Sequence, residues 1–168
     1  MATQLEGRTL EVLTLELQGE VFALEATQVY EILDQTQVTE VPGSDPFISG
    51  LVNVRGKVVP LADLRLKFNM PQTAATIDSR IVVIDVMLDG EPVTVGILAD
   101  KVNEVTELTA GVLQETPKLG MKWRPEFIRC IGKHGAEFIA ILDIDRIFAE
   151  HQEAAVGMHA SGLDQSAA

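Results

Sequence analysis

Two halves of this chain carry the same short motifs in the same order, which restricts the fold to something built twice from one small unit. Gly19-Glu20 returns as Gly90-Glu91, Val29-Tyr30-Glu31-Ile32 as Val102-Asn103-Glu104-Val105, and Phe47-Ile48 as Phe127-Ile128. Asp63-Leu64 and Phe68 then return as Asp143-Ile144 and Phe148, and the second copy carries an insertion ahead of Phe127. The copies cover roughly 10–70 and 80–150. Within each, short runs rich in Val, Ile and Leu alternate with Gly, Pro, Asp and Asn, a pattern of strands and tight turns rather than long helices.

Strands are predicted at 10–17, 21–24, 50–54, 58–61, 81–88, 93–98, 127–131 and 138–142. Gln18-Gly19-Glu20 and Asp89-Gly90-Glu91 are predicted hairpin turns, because Gly accepts the positive φ that such turns demand. The fold class is therefore all-β with short helices. Four or five short strands can curl into a barrel with few open edges, so each copy is expected to form one. A unit this small is marginal in core size, and the two should pack on each other. Asp63 and Asp143 stand as N-caps of short helices, whose i,i+4 pairs Leu64/Phe68 and Ile144/Phe148 would face the barrels. The segment 69–79, with Pro71, reads as a linker between copies. Residues 151–168, rich in Ala, Ser, Gly and Gln, read as a mobile tail after one domain spanning 10–150.

Charge narrows the partners. Thirteen basic against 25 acidic residues leave a formal charge of −12, which repels nucleic acid and anionic membrane surfaces. The longest apolar runs are far too short to cross a bilayer, so no membrane insertion is expected. The N-terminus lacks a basic start followed by an apolar run, and Cys130 is the single cysteine; both point to the cytoplasm.

Catalytic and metal-binding constellations are absent from the sequence. His134, His151 and His159 form no metal-ligand spacing, so neither metal nor cofactor is expected. His134 falls in a predicted hairpin turn, and Cys130 in a strand reads as a small buried hydrophobe rather than a nucleophile. Asp63, Asp85, Asp100 and Asp143 have capping and turn contexts, which favour structural roles over acid-base work. A small β-barrel ligand-binding protein would need convergent polar groups in a cleft, and the sequence offers no obvious set.

The stretch 47–65 stands apart. Strand alternation puts Asn53 and Arg55 on one face just ahead of Gly56, an amide and a guanidinium able to form a polar recognition spot, although a solvated surface charge beside a turn fits equally well. Gly50, Asn53, Arg55, Gly56, Pro60, Asp63, Leu64 and Arg65 together reproduce the spacing G-x-x-N-x-R-G-x-x-x-P-x-x-D-L-R. This phrase resembles the signature of the chemotaxis coupling proteins, the CheW-like domain family, and the likeness extends over roughly 10–150.

The resemblance implies two intertwined five-stranded SH3-like barrels. It also implies a non-catalytic adaptor that binds the regulatory domain of the histidine kinase CheA and the cytoplasmic tips of chemoreceptors, gathered in arrays under the membrane. An adaptor of another, non-flagellar chemosensory pathway would share the module. By resemblance, Val29, Glu31, Gly50, Arg55 and Val102 match receptor- and kinase-coupling positions, with Asn53 and Gly56 completing the motif. Gln114, Lys118 and Leu119 occupy the region where the family makes a further array-ring contact. Trp123, in the insertion, reads as a lid over a barrel end.

Overall fold

The computed structural model describes residues 8–34, 37–43, 45–110 and 124–151. Ten strands follow in order: β1 (Thr9–Leu17), β2 (Glu20–Glu25), β3 (Val29–Leu33), β4 (Ile48–Val54), β5 (Lys57–Ala62), β6 (Arg80–Leu88), β7 (Glu91–Ala99), β8 (Lys101–Ala110), β9 (Ile128–His134) and β10 (Glu137–Leu142). A helix, α1, covers 144–151, and 3-10 turns cover Ala26–Gln28, Leu64–Leu66 and Pro125–Phe127. Three hairpins turn on a residue and a glycine that both take positive φ: Gln18-Gly19, Arg55-Gly56 and Asp89-Gly90. That is the two-residue turn whose twist matches paired strands.

The halves do not close separately. One sheet is a closed barrel in the order β1-β2-β10-β9-β8, and the other runs β3-β6-β7-β5-β4. Each therefore takes a hairpin from one copy of the repeat and three strands from the other, joined by the parallel pairs β10 with β2 and β5 with β7. The expectation of one barrel per copy fails for a physical reason: the two donated hairpins are apolar on both faces. β1 and β2 turn Leu13, Leu15, Leu17, Phe22 and Leu24 into a central core. β6 and β7 add Val82, Ile84, Val86, Val95 and Ile97 to it from the opposite side. Their alternate residues fill the two barrels, Val12 and Ala23 in one, Ile81 and Val83 in the other. A half closed on itself would leave one of these faces in water, so exchange buries what a solitary barrel cannot.

The same repeat positions recur in three dimensions. Leu64, Phe68, Ile144 and Phe148 all enter the central core. Asp63 accepts a hydrogen bond from the Arg65 amide at 3.1 Å, and Asp143 accepts from the Arg146 amide at 3.2 Å, so both act as caps. Asp85 and Asp100 are likewise engaged structurally, by Thr94 Oγ1 and by the Gln18 amide.

Two strands escaped the sequence pattern, β3 and β8. Each contains a bulge at the same place in the repeat: Tyr30 is extra between Val29 and Glu31, and β8 spends two residues between Val102 and Val105 against one on β1. A bulge shifts the side-chain alternation by one, which erases the period of two on which strand prediction rests. His151, placed in the tail from sequence, lies instead on α1. Its ring sits 4.3 Å from Phe47 and its Nε2 3.0 Å from Asp45 Oδ2. Burial and the nearby Lys67 hold His151 below the usual imidazole range, leaving it neutral near pH 7. His134 ends β9, one residue before the turn glycine Gly135.

Cys130 packs inside the first barrel with Val12, Leu108 and Ile141, and burial pushes its thiol up to about 11. A disulfide-forming reagent is therefore expected to leave it untouched in the native protein at pH 8 and to titrate one thiol after denaturation. The native state also holds this proton more tightly than the unfolded chain. Its contribution to stability is full below the ordinary thiol value of 9.0 and is lost as pH rises through about 11. Rapid native labelling would show that Cys130 is open to solvent.

Candidate functional site

The second sheet, unlike the first, is not sealed by strand pairing. Where β8 meets β9 in the closed barrel, the described residues give no β3–β4 pairing, and β4 is instead bridged through Leu51 to Thr39 in the segment after β3. Their amides and carbonyls exchange bonds of 2.9 and 2.8 Å. Gly50 permits this bridge. A Cβ there would lie 2.6 Å from Val38 Cγ1 and 2.8 Å from the Thr39 carbonyl oxygen. Gly50 is thus buried against its own chain, and its missing side chain makes room for residues 38–39.

The polar spot forms beside this seam, with a geometry that alternation along a strand does not give. Arg55 is not on β4 but in the turn beyond it, with φ of 50°. Asn53, at the end of β4, turns its Oδ1 to accept the Gly56 amide at 2.9 Å, so it secures the turn and does not stand beside the guanidinium as a second recognition group. From the turn, Arg55 reaches across to Glu31 on β3, with Nε 3.1 Å from Oε2 and Nη2 3.4 Å from Oε1. The Arg55 side chain remains 73% exposed within this ion pair, which leaves donors free toward solvent. Its pKa is held above the ordinary range, first by the hydrogen bond to Glu31.

The strands and turn that carry the pair also expose apolar side chains that the sequence did not single out. Tyr30 and Ile32 of β3 are exposed, and Val58 of β5, just past the Arg55-Gly56 turn, is 70% exposed. Strand propensity would ordinarily put such residues inside. The signal available for them was the bulge, which turns Tyr30 outward.

Val29 and Val102 occupy equivalent positions in the two sheets, each half-buried against the central core. They do not join the seam: Val102 pairs with Leu15 in the closed barrel. Gln114, Lys118, Leu119 and Trp123 lie outside the described residues.

The end of the motif is structural. Arg65 is buried and makes a two-pronged contact with Asp63, Nε to Oδ1 and Nη2 to Oδ2, each 2.9 Å. Its Nη1 reaches the Thr73 carbonyl at 3.1 Å and Asp100 at 3.3 Å. Gln72 donates to Asp63, and the Gln18 amide donates to Asp100. One guanidinium thereby fastens the 3-10 turn, the linker, the β1–β2 turn and the end of β7.

With the geometry in place, residues 11–152 match the CheW-like domain family. The chain belongs to that family. It is 33% identical to the chemotaxis protein CheW of Klebsiella aerogenes over 156 residues, 92% of either chain. It is 29% identical to CheW of Bacillus subtilis over 137 residues, 82% of this chain and 85% of the relative. The solved structure of a CheW scaffolding protein from Thermoanaerobacter tengcongensis superposes with a TM-score of 0.66 at 25% identity, covering 81% of this chain and 90% of that one. Membership in the CheW-like family makes this a non-catalytic chemotaxis scaffold and accounts for the intertwined pair of five-stranded sheets. The seam, with its exposed ion pair, is a feature suited to gripping another protein rather than to chemistry.

Proposed function

We propose that this CheW-like chain couples a CheA-type histidine kinase to the cytoplasmic tips of chemoreceptors, joining receptor arrays by binding both. Kinship supports the class of partner, and the exposed Arg55–Glu31 pair, on strands that also expose Tyr30, Ile32 and Val58, is the observation that supports the site. Glu31 pre-orients the guanidinium, so little rotamer entropy is lost when a partner carboxylate or carbonyl adds to its free donors. Tyr30, Ile32 and Val58 supply the apolar contact that gives such a polar bond its strength. Val29 and Val102 contribute from the edge of the central core, where a partner packs rather than bonds. Gly50, Asn53 and Gly56 shape the seam and its turn. Gln114, Lys118 and Leu119 are proposed as a further array contact. Among the described residues no helix is long and apolar enough to cross a membrane, and attachment to the array runs through the receptors.

Arg55→Ala tests the site. Because Arg55 is exposed and its backbone conformation is no worse for Ala, stability is expected to stay within about 0.5 kcal/mol. Affinity for a receptor cytoplasmic fragment or for the kinase should fall by about 2 kcal/mol or more. Arg55→Lys should recover little, since an ammonium cannot hold Glu31 and a partner in one planar fork. Calorimetric titration with each partner separately gives the answer; wild-type affinity for both from a folded Arg55→Ala protein removes Arg55 from the site.

A further inference from the structure

The repeat builds the same aromatic junction twice, and one of the two carries an imidazole. Phe47 and Phe127 stand just ahead of β4 and β9, and each offers its carbonyl to the amide of a capping aspartate, Asp63 and Asp143. Each ring meets a phenylalanine from the other copy, Phe148 at 5.3 Å from Phe47 and Phe68 at 5.9 Å from Phe127. Each also lies under a cation, Lys67 Nζ over Phe47 and the Arg124 guanidinium over Phe127, both 4.9 Å from the ring centre. The junctions differ at His151. Its ring lies 4.3 Å from Phe47, whereas the repeat places Pro71, which cannot titrate, at the equivalent position of the first copy.

His151 closes a clasp between α1 and the segment that enters β4. Asp45 in that segment turns Oδ1 to its own chain, accepting the Phe47 amide at 2.9 Å, and Oδ2 to α1, accepting from His151 Nε2 at 3.0 Å. A carboxylate only accepts, so Nε2 holds a hydrogen whether the imidazole is neutral or charged, and the bond alone does not choose between the two states. The surroundings choose. The His151 side chain is 17% exposed, and Lys67 sets an ammonium against the same Phe47 ring. Burial and Lys67 oppose a proton here and prevail over Asp45, which favours one. Glu150 and Arg124, the other charged groups around Lys67, pair with each other, and Glu126 also holds Arg124. Asp45 is thus left to answer both Lys67 and a charged imidazole.

We propose that His151 is an acid-released clasp: neutral, it pins α1 to the segment that enters β4, and protonated, it lets the two part. The direction follows from the state that the seat prefers. Because the seat disfavours the proton, the contribution of the clasp is full above the ordinary imidazole value of 6.5 and is lost as pH falls through the lower value of the seated ring. The clasp is separate from the Arg55–Glu31 pair and does not depend on the coupling role.

The test is amide hydrogen exchange on the full-length chain, expressed as protection factors from about pH 7.5 to about pH 5. Protection at Phe47 and 148–151 should fall several-fold, in step with the titration of the His151 ring signal. Phe127, and the fully buried Leu15 and Ile84, should keep theirs. His151→Gln retains a donor for Asp45 but no titrating ring, and its protection should not vary with pH, whatever its level. Lys67→Met keeps a chain against Phe47 without the cation and should shrink the response. Protection at 148–151 that is equal at both ends of the range would overturn the proposal, as would a fall shared with Leu15 and Ile84. A response of wild-type size in His151→Gln or in Lys67→Met would do the same.

Discussion

Arg65→Ala is expected to cost about 3–5 kcal/mol of stability. The magnitude follows from what is stranded. Asp63 is 2% exposed, and with Arg65 gone its carboxylate keeps only the Arg65 backbone amide and Gln72 as donors. Asp100 loses its cation, and the Thr73 carbonyl loses the donor that holds the linker down. A thermal midpoint lowered by roughly 10 °C or more is the expected reading for a chain of this size. Replacing both charges, as Asp63→Asn with Arg65→Met, should recover much of the loss, because the penalty lies in the unpaired buried charge rather than in the missing bond. A midpoint within a few degrees of wild type for Arg65→Ala would mean that water reaches Asp63 freely.

Gly50→Asp is expected to cost about 3 kcal/mol or more and to do so locally. The new Cβ meets a side-chain carbon, Val38 Cγ1, and a backbone oxygen, Thr39 O, both inside contact distance. The first can be relieved and the second cannot, so Val38→Ala should rescue Gly50→Ala only in part. Hydrogen exchange at the Thr39 and Leu51 amides distinguishes this account from general misfolding. Those two amides should lose protection first, while Leu15 and Ile84 in the central core remain slow. Unchanged protection at the bridge, together with lost partner binding, would return Gly50 to the role of a bare contact point.

The repeat, the caps and the central hydrophobic pairs were legible because they are set by local chemistry. Asp63 and Asp143 cap in the way that their position before Leu64 and Ile144 implies. The exchange of hairpins between sheets was not readable from periodicity, since an apolar run such as 81–84 looks the same whether its second face meets its own copy or the other one. It was readable from kinship with a known family, and the topology agrees. At the site, Arg55 was found but misplaced: alternation assumes that a strand continues, and the positive φ of Arg55 ends it one residue earlier. Its partner Glu31 was named by resemblance, while the ion pair between them spans two elements distant in sequence, which no spacing rule encodes.

The coupling role itself is tested most directly by kinase autophosphorylation in a mixture of CheA-type kinase, receptor cytoplasmic fragment and this chain. Kinase activity should rise only when all three are present, and Arg55→Ala should lower that rise while retaining the native fold. Equal activity with the chain omitted, or failure of the folded chain to bind either partner, would contradict the account.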